Sequence, residues 1–353
     1  MIVKINQEVN KMVKNTLSSR HEFLFLFDIK MGNPNGDPDE NRPRVLPDGT
    51  YYVTDVRLKR FARDFMKCQG KTILVDNIEG RTTNLTGRVV KFLQENNKLE
   101  ANEEELVKIL LDSFIDARLF GSSFAFKAEE GESREKKDWK PVPKTMTGAV
   151  QINMGEVLHK AEEVDIHGTT IFSSAQKKRT GEEVTAGTFT TYFGLRYALI
   201  AFSGVANEHS AKISRMSDED YEYLLKAIWH GVRVSGNTRT KVGQIPHLLI
   251  DVEYNKGEEF QFGRLHDYVK MVAANGKKEK EWASQEDYKL DLTLLIKRLN
   301  EQKDRISKVR YASSSDIQFT ECLPSKWETF DIECLPKEDS NSTTVLERNN
   351  RWN

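Results

Sequence analysis

Cysteine is scarce in this sequence, and its spacing excludes a disulfide framework. The 353 residues include only Cys68, Cys322 and Cys334, and no two of them form a CxxC pair. Small secreted domains depend on several closely spaced cysteines, whereas a chain of this length buries a core without disulfides or a metal. We therefore expect a reduced, cytoplasmic compartment and no zinc or redox site.

Long apolar runs and an export signal are also missing. The longest apolar runs cover residues 23–27 and 197–202, far short of the roughly 20 residues that span a bilayer. The first 15 residues alternate charged and apolar side chains and lack the apolar segment of a signal peptide. We expect a chain that neither crosses a membrane nor leaves the cytoplasm.

The chain has no excess of charge of either sign. Its 53 Lys and Arg residues face 54 Asp and Glu residues, which gives a formal net charge of −1. A histone-like or ribosomal type of protein is thereby excluded, since such proteins bind nucleic acid through a large positive total charge. Any affinity for nucleic acid has to come from local clusters of Lys and Arg.

The common catalytic and nucleotide-binding signatures are absent. No GxxxxGK[ST], HExxH, GxSxG or GxGxxG pattern occurs, and the seven histidines are dispersed without metal-ligand spacing. The stretch NPNGDPDEN at residues 33–41 resembles a calcium-binding loop, but it lacks the glycine and the final glutamate at their required positions. Because Asn, Asp, Gly and Pro form tight turns, we expect turns here, with no metal and no cofactor.

This loop joins a predicted strand to a predicted helix. Residues 22–29, EFLFLFDI, are apolar at odd and even positions, as in a strand covered on both faces. Residues 55–67 predict a helix with Thr54 as N-cap and Gly70 after its end. At 100° per residue, apolar and basic side chains fall on opposite faces. The apolar residues are Leu58, Phe61, Ala62 and Phe65, and the basic ones are Lys59, Arg60, Arg63 and Lys67.

The remaining chain alternates strands and helices around insertions. After an extension at residues 1–20, residues 71–126 predict a mostly helical insertion, 147–155 a strand, 167–193 a hairpin with a basic tip, and 193–205 a buried strand. A helix capped by Ser217 and ended by Gly231 precedes a strand at 245–254. Residues 263–336 predict a helical part and 337–353 a polar tail. The core order βαββαβ predicts an α+β fold of the ferredoxin-like or RNA-recognition-motif kind.

Basic residues also cluster in several loops. These islands are Arg42, Arg44 and Arg57, then Arg118, residues 177–179, and Arg233, Arg239 and Lys241. Cations at this density can neutralise successive phosphates of a nucleic-acid strand without reading its sequence. Two alternatives are a solvated helix face whose cations pair with Asp55 and Asp64, and basic patches that serve protein contacts only.

Several stretches carry a resemblance to a known family. They are FLFLFDIKMGNPNGDPDENRPRV with VTDVRLKRFARDFM, DARLFGS at residues 116–122, TGAVQINMG at 147–155, FGLRYALIAFSGVAN at 193–207 and NTRTKVGQIPHLLIDVEY at 237–254. They resemble the Cas-seven family, the backbone subunits of type I CRISPR effector (Cascade) complexes of the RAMP superfamily. The subtype I-B branch, often called Csh-two, is the most similar. No motif beyond residue 263 takes part.

The resemblance implies a modified RNA-recognition-motif palm within residues 21–262. The fingers would be the helical insertion at 71–126 and the thumb the β-hairpin at 167–193. It also implies a non-catalytic subunit for antiviral defence, whose copies form a filament along the guide RNA (crRNA) and hold the spacer for pairing with target DNA. Implied partners are the crRNA, target DNA, further copies, a Cas-five type cap, a large subunit and a processing endonuclease.

The resemblance further assigns RNA-binding residues position by position. Those in the glycine-rich loop and the first helix are Asn33, Asn35, Gly36, Arg57, Lys59, Arg60 and Arg63. The others are Arg118, Gln151, the thumb residues Phe172, Ser173 and Gln176, and Asn237, Arg239 and Lys241.

An enzyme is the alternative within this resemblance. Related backbone subunits of type III complexes cut RNA with an aspartate in a loop, and Asp37 or Asp39 would take that role here by holding a metal ion. Because the loop matches the type I pattern, we expect no enzymatic activity.

Overall fold

A computed structural model describes residues 16–77, 84–101, 103–125, 143–169, 189–236 and 240–333. Within these residues the chain has seven α-helices. They are α1 (Asp55–Cys68), α2 (Leu85–Glu95), α3 (Glu103–Ser113), α4 (Ile115–Phe120), α5 (Glu208–Ser214), α6 (Asp218–Val234) and α7 (Thr293–Glu301). Short 3-10 turns lie at Leu265–Tyr268, Glu279–Glu281, Gln285–Asp287 and Lys303–Arg305. None of the described helices is long and apolar enough to span a bilayer.

The same residues contain one large sheet and two small ones. The large sheet consists of β1 (His21–Gly32), β2 (Tyr52–Val53), β5 (Val150–Ile152), β6 (Gly155–Val157), β7 (Glu163–Thr169), β8 (Phe189–Ala206), β9 (Ile245–Tyr254), β12 (Ile306–Ser313) and β13 (Glu328–Thr329). The small sheets pair β3 (Gly121–Ala125) with β4 (Pro143–Thr147), and β10 (Lys270–Ala273) with β11 (Tyr288–Asp291). Together with the helices they form the mixed α+β fold that the sequence predicts.

The order of strands in the large sheet places β1 near its centre. The order is β13-β12-β9-β1-β8-β6-β2, and β5 and β7 also pair with β8. All neighbours are antiparallel except β12 and β13. Phe23, Phe25 and Phe27 enter one core and Leu24 and Leu26 the opposite core, all without exposed surface. The predicted strand covered on both faces is thus confirmed.

The helices α1 and α6 pack on the face that carries Phe23. The four apolar residues predicted for one face of α1 are all buried, and Ser217 caps α6 in a capping box with Asp220. Gly231 does not end α6 as predicted, because the helix continues to Val234. A Cβ at Gly231 would lie 2.2 Å from the carbonyl oxygen of Phe61, so this glycine lets the two helix backbones approach closely.

The opposite face of the sheet is covered by the C-terminal part of the chain. Leu265, Trp282, Tyr288 and Leu295 pack there with Leu24 in a second buried cluster. Between residues 263 and 333 the structure has one α-helix, α7, with β10 to β13, where the sequence predicted a helical part. Three of these strands, β10, β11 and β13, have only two to four residues, too few for a clear period. β12 has eight, but most of its side chains are only partly buried, so it lacks the apolar run that marks β1.

The insertion after α1 contains α2, α3 and α4 and has a small core of its own. Leu93, Leu110 and Phe114 are fully buried there and pack with Met146. In the predicted hairpin, β7 pairs with β8 up to Thr169 opposite Phe189, and the hairpin tip lies outside the described residues. β8 is a single strand of 18 residues, so the hairpin arm and the strand predicted at 193–205 are continuous.

Candidate nucleic-acid interface

The loop after β1 is fastened by its own asparagine side chains. Asn33 is fully buried, its Nδ2 donates to the carbonyl oxygen of Asn41 over 2.7 Å, and its Oδ1 accepts from the N–H of Asn35 over 3.0 Å. The Oδ1 of Asn35 accepts from the N–H and the hydroxyl of Thr54 at 2.9 and 2.8 Å. Thr54 occupies the predicted N-cap position, but its hydroxyl makes no cap bond to α1. The loop is therefore tied to the start of α1.

Asp37 shapes the tip of the same loop. Its Oδ1 accepts from the backbone N–H groups of Asp39, Glu40 and Asn41 at 3.1, 2.9 and 2.9 Å. This is turn chemistry, and it gives one of the two carboxylate oxygens of Asp37 a structural role in the loop. Among the described residues, the single group of His and acidic side chains that could converge on a metal is Glu208, His209 and Glu259, which includes neither Asp37 nor Asp39.

Two cations beside this loop have no acidic partner among the described residues. Arg57 lies in the first turn of α1 with its guanidinium carbon 4.3 Å from the ring centre of Phe61, and its buried Nε has no hydrogen-bond partner. Lys241 lies in the loop before β9, and its Nζ donates to the carbonyl oxygen of Asn33. The backbone N–H of Asn33 in turn donates to the carbonyl oxygen of Thr240 over 2.9 Å. The loop after β1 therefore holds Lys241 in place, while Arg57 packs on the ring of Phe61 within α1.

Burial makes these two positive charges costly. Burial, together with the positive charge of Arg57, lowers the pKa of Lys241 to about 8. Burial also lowers the pKa of Arg57, against the opposing effect of the Asp64 carboxylate. Two cations drawn out of water without an anion between them favour any ligand that supplies negative charge. Arg57 and Lys241, called here the Arg57–Lys241 pair, are therefore two partly buried cations whose charges a negatively charged ligand would offset.

The other cations of α1 are engaged with carboxylates. The pairs are Lys59 with Asp55, Arg60 with Asp64, Arg63 with Asp116 and Lys67 with Asp76, at N···O distances of 2.5–2.8 Å. Helix periodicity predicts an exposed basic face on α1. This prediction is wrong for Arg63, which is only 9% exposed. Helix periodicity cannot show this, because Asp116 belongs to a distant part of the sequence.

The remaining predicted residues do not join the Arg57–Lys241 pair in the described structure. Arg118 donates to both carboxylate oxygens of Asp220 at 2.6 and 2.7 Å and to the carbonyl oxygen of Leu111 over 2.7 Å. Gln151 lines a separate cavity beside β5. Phe172, Ser173, Gln176, Asn237 and Arg239 lie outside the described residues.

Sequence reasoning missed the anchoring role of Arg42. Its guanidinium carbon lies 3.6 Å from the ring centre of Phe193, and it pairs with Glu40 at 2.8 Å and with Glu163 at 2.7 Å. Arg42 thus ties the loop to the base of the β7–β8 hairpin. Its basic character was visible in the sequence, but its partners on the hairpin, Glu163 and Phe193, lie more than 100 positions away.

Known proteins similar to this chain share one description. The family model "CRISPR-associated protein Cas7" matches residues 19–293. A curated relative from Haloferax volcanii, also described as "CRISPR-associated protein Cas7", is 29% identical over 313 residues, which cover 86% of this chain and 89% of the relative. The family match extends over well more than half of the chain. The chain therefore belongs to the CRISPR-associated Cas7 family, which confirms the resemblance seen in the sequence.

Two solved structures are similar to this chain, and one of them shares its fold. A chain of a "CRISPR RNA-guided surveillance complex, pre-nicking" superposes with a TM-score of 0.51 at 14% identity and covers 89% of this chain and 96% of that chain. A chain of a "CRISPR RNA-guided surveillance complex" gives a TM-score of 0.49 at 13% identity, with 89% and 95% covered. The first of these likenesses shows that the mixed α+β fold also occurs in a chain of an RNA-guided complex.

Proposed function

We propose that this chain is a crRNA-binding backbone subunit of a CRISPR effector complex. The observation that carries the proposal is the Arg57–Lys241 pair, two partly buried cations that have no acidic partner among the described residues and lie beside a hydrogen-bonded loop. A cation without a carboxylate partner in the protein gives up no ion pair when it binds a phosphate. Membership of the Cas7 family and the fold shared with a chain of an RNA-guided complex favour RNA as the phosphate carrier.

The palm of this subunit would be a modified RNA-recognition motif. The neighbouring strands β9, β1, β8 and β6 and the two helices α1 and α6 on one face support this interpretation, since they reproduce the βαββαβ arrangement. The α2–α4 insertion would form the fingers and the β7–β8 hairpin the thumb. We also propose that the subunit belongs to an effector complex of subtype I-B.

Several copies would line up along the spacer RNA and leave its bases free to pair with target DNA. The proposed partners are the crRNA, target DNA through that RNA, further copies of this chain, a Cas-five type cap, a large subunit and a processing endonuclease. We propose the cytoplasm as the compartment.

The proposal includes a non-catalytic role. The three backbone hydrogen bonds to Asp37 support it, since they give this aspartate a structural task in the loop. The alternative, a metal-dependent ribonuclease that uses Asp37 or Asp39, has no supporting geometry among the described residues.

The test is to purify the full chain without RNase and to measure its nucleic-acid content and mass by absorbance ratio and light scattering. We expect an RNA-loaded particle with several copies, either directly or after addition of a CRISPR transcript with its partner subunits. The Arg57→Ala/Lys241→Ala variant should be folded but free of RNA, and Lys297→Ala, which changes an exposed lysine on α7, should behave like the wild type. RNA loading by the double variant equal to that of the wild type would contradict the proposal.

A further inference from the structure

The start of β1 lies between the ends of its two neighbouring strands. His21 is opposite Ala206 at the end of β8 and opposite Glu253 near the end of β9. The chain that leaves β8 enters α5, and the chain that leaves β9 continues into residues 255–262. Both segments therefore begin next to Arg20, the residue before β1. Antiparallel register thus collects side chains from three distant parts of the sequence at one end of the sheet.

Three side chains with metal-ligating atoms converge at this point. The Nε2 of His209 lies 3.2 Å from Oε1 of Glu208 and 2.9 Å from Oε1 of Glu259. All three atoms lie within 4.8 Å of one another. Ligand atoms bound to a tetrahedral zinc ion at its usual distances are about 3.3–3.6 Å apart. Small rotations of the exposed side chains of His209 and Glu259 therefore let one ion contact all three atoms.

Arg20 holds the two carboxylates in this arrangement. Its side chain is 6% exposed, its Nε donates to Oε2 of Glu208 over 3.2 Å, and its Nη2 donates to Oε2 of Glu259 over 3.1 Å. The contact of Nη2 with Oε1 of Glu208 is longer, at 3.4 Å. The arginine thus engages mainly the Oε2 atoms, while the Oε1 atoms face His209. Hydrogen bonds of this kind orient the carboxylate ligands of metal sites.

The backbone that carries the three ligands is also fixed. Asn207 caps α5, since its Oδ1 accepts from the N–H groups of His209 and Ser210 at 2.9 and 3.0 Å. On the other side, Nη1 of Arg20 donates to the carbonyl oxygen of Glu259 over 2.6 Å. Much of the entropic cost of ordering the ligands is therefore met when the protein folds, which favours binding of an ion.

The alternative is a cluster of ion pairs that holds no metal, and two observations favour a cation over it. Glu208, Glu259 and Arg20 together carry a net charge of −1, which a divalent cation offsets. A single N–H on Nε2 of His209 can align with only one of the two Oε1 atoms, whereas a metal ion binds both. The hydrogen bond with His209 also lowers the pKa of Glu259, so this carboxylate is ionised at neutral pH, as metal binding requires.

The donor set selects the class of ion. One imidazole nitrogen with two carboxylate oxygens suits zinc and similar transition metals, whereas Mg²⁺ and Ca²⁺ prefer sites made of oxygen alone. The side chains of His209 and Glu259 are 52% and 69% exposed. Water can therefore reach the ion and occupy the fourth position of a tetrahedral zinc site.

We infer that Glu208, His209 and Glu259 bind one zinc ion, which fastens α5 to the segment after β9. The inference goes beyond the proposed function and does not depend on RNA. The zinc site lies at the start of β1, whereas the Arg57–Lys241 pair lies beside the loop that follows the end of this strand. It departs from the expectation of a chain without metal, because Glu259 is 50 positions from His209 and no local spacing reveals the site.

The test strips the full chain of metal with a chelator and then titrates it with Zn²⁺ by isothermal titration calorimetry. We expect one zinc ion per chain and a higher melting temperature with zinc than without it. His209→Ala and Glu259→Gln change exposed side chains and should fold, but their zinc affinity should be at least about tenfold lower, since even changes behind the ligands cost that much. His167→Ala, which removes an exposed histidine on β7, should bind zinc like the wild type.

Three results would overturn the inference. The first is a wild type without saturable zinc binding. The second is equal zinc affinity in the wild type, His209→Ala and Glu259→Gln, which would place the ion elsewhere. The third is displacement of the zinc by an equal concentration of Mg²⁺, which would indicate a site made of oxygen alone. Zinc binding and RNA binding are measured separately, so failure of this inference is distinguishable from failure of the proposed function.

Discussion

Arg63 and Asp116 form a buried ion pair that joins α1 to α4. The Nε of Arg63 donates to Oδ2 of Asp116 over 2.8 Å, and the aspartate side chain is only 1% exposed. Asp116 also accepts from the backbone N–H groups of Leu74 and Val75 at 2.7 and 3.2 Å. One carboxylate therefore connects the first helix, the chain that leaves it and the helical insertion.

Replacement of Arg63 should affect stability more than RNA contact. Arg63→Glu leaves the buried carboxylate of Asp116 facing a like charge, so we expect the free energy of unfolding to fall by about 3–5 kcal/mol. The matched change Arg60→Glu breaks a half-exposed pair with Asp64 and should cost under about 1 kcal/mol. Chemical denaturation followed by circular dichroism measures both. Equal losses in the two variants would contradict the structural role of Arg63.

RNA affinity should depend on pH through Lys241. The pKa of Lys241 is about 8 in the free protein. Raising the pH from 7 to 9 therefore removes the proton that gives Lys241 its positive charge, and with it the attraction to a phosphate. We expect affinity to fall about tenfold at pH 9 if the bound form stays protonated. Lys241→Arg keeps its charge over this range and should give a flatter profile with the same RNA. Parallel profiles for the two proteins would show that Lys241 does not bind phosphate.

Removal of the Asp37 carboxylate should loosen the loop. Asp37→Ala frees three backbone N–H groups, and we expect RNA affinity to fall about three- to tenfold because the loop next to Asn33 loses its turn, a loss of roughly 1 kcal/mol. Asp39→Ala removes an exposed carboxylate that accepts no hydrogen bond from the described residues and should change nothing. Binding is measured by fluorescence anisotropy and cleavage on gels with Mg²⁺. Metal-dependent cleavage by the wild type that either change abolishes would support the ribonuclease alternative.

Stability should fall in mild acid because of His159. This residue is 8% exposed, and its ring centre lies 5.8 Å from that of Tyr197 and 5.2 Å from that of Trp282. Neither ring nitrogen has a hydrogen-bond partner among the described residues. Burial lowers its pKa to about 4 despite the nearby carboxylate of Glu279, whereas an unfolded histidine titrates near pH 6.5. The unfolded state thus binds more protons between pH 6.5 and 4, and stability declines as the pH falls.

The full effect of this histidine is on the order of 3 kcal/mol by pH 4. His159→Phe keeps a ring between Tyr197 and Trp282 but cannot take up a proton. Urea unfolding at several pH values should therefore show a smaller decline for the variant than for the wild type. Identical declines would mean that His159 is already solvated in the folded protein.

The sequence predicted the elements whose signals are local. The apolar run of β1, the apolar face of α1 and the capping box at Ser217 depend on neighbours within a few positions, so periodicity and capping rules apply directly. Local signals do not group the residues of the candidate site. The family resemblance alone assigned RNA binding to Asn33, Asn35, Gly36, Arg57 and Lys241. Nothing in the spacing shows that Arg57 lies near enough to Lys241 to affect its charge.

The features that escaped prediction depend on distant pairings. Arg63 is drawn inside by Asp116, and Gly231 is a packing glycine inside α6 because the backbone of Phe61 approaches it. The cover over the second sheet face combines short strands, 3-10 turns and α7 from the C-terminal part of the chain. The structural roles of these residues become visible only when the fold brings distant parts of the chain together.

The most direct test of the account is the salt dependence of RNA binding. Each phosphate contact with a single strand adds about 0.7 to the negative slope of log affinity against log salt concentration. We expect a steep slope for the wild type, a slope smaller by about 0.7 for Arg57→Ala and for Lys241→Ala, and the wild-type slope for Lys297→Ala. A wild-type slope near zero, or unchanged slopes in the Arg57 and Lys241 variants, would contradict the central claim that this pair holds the RNA backbone.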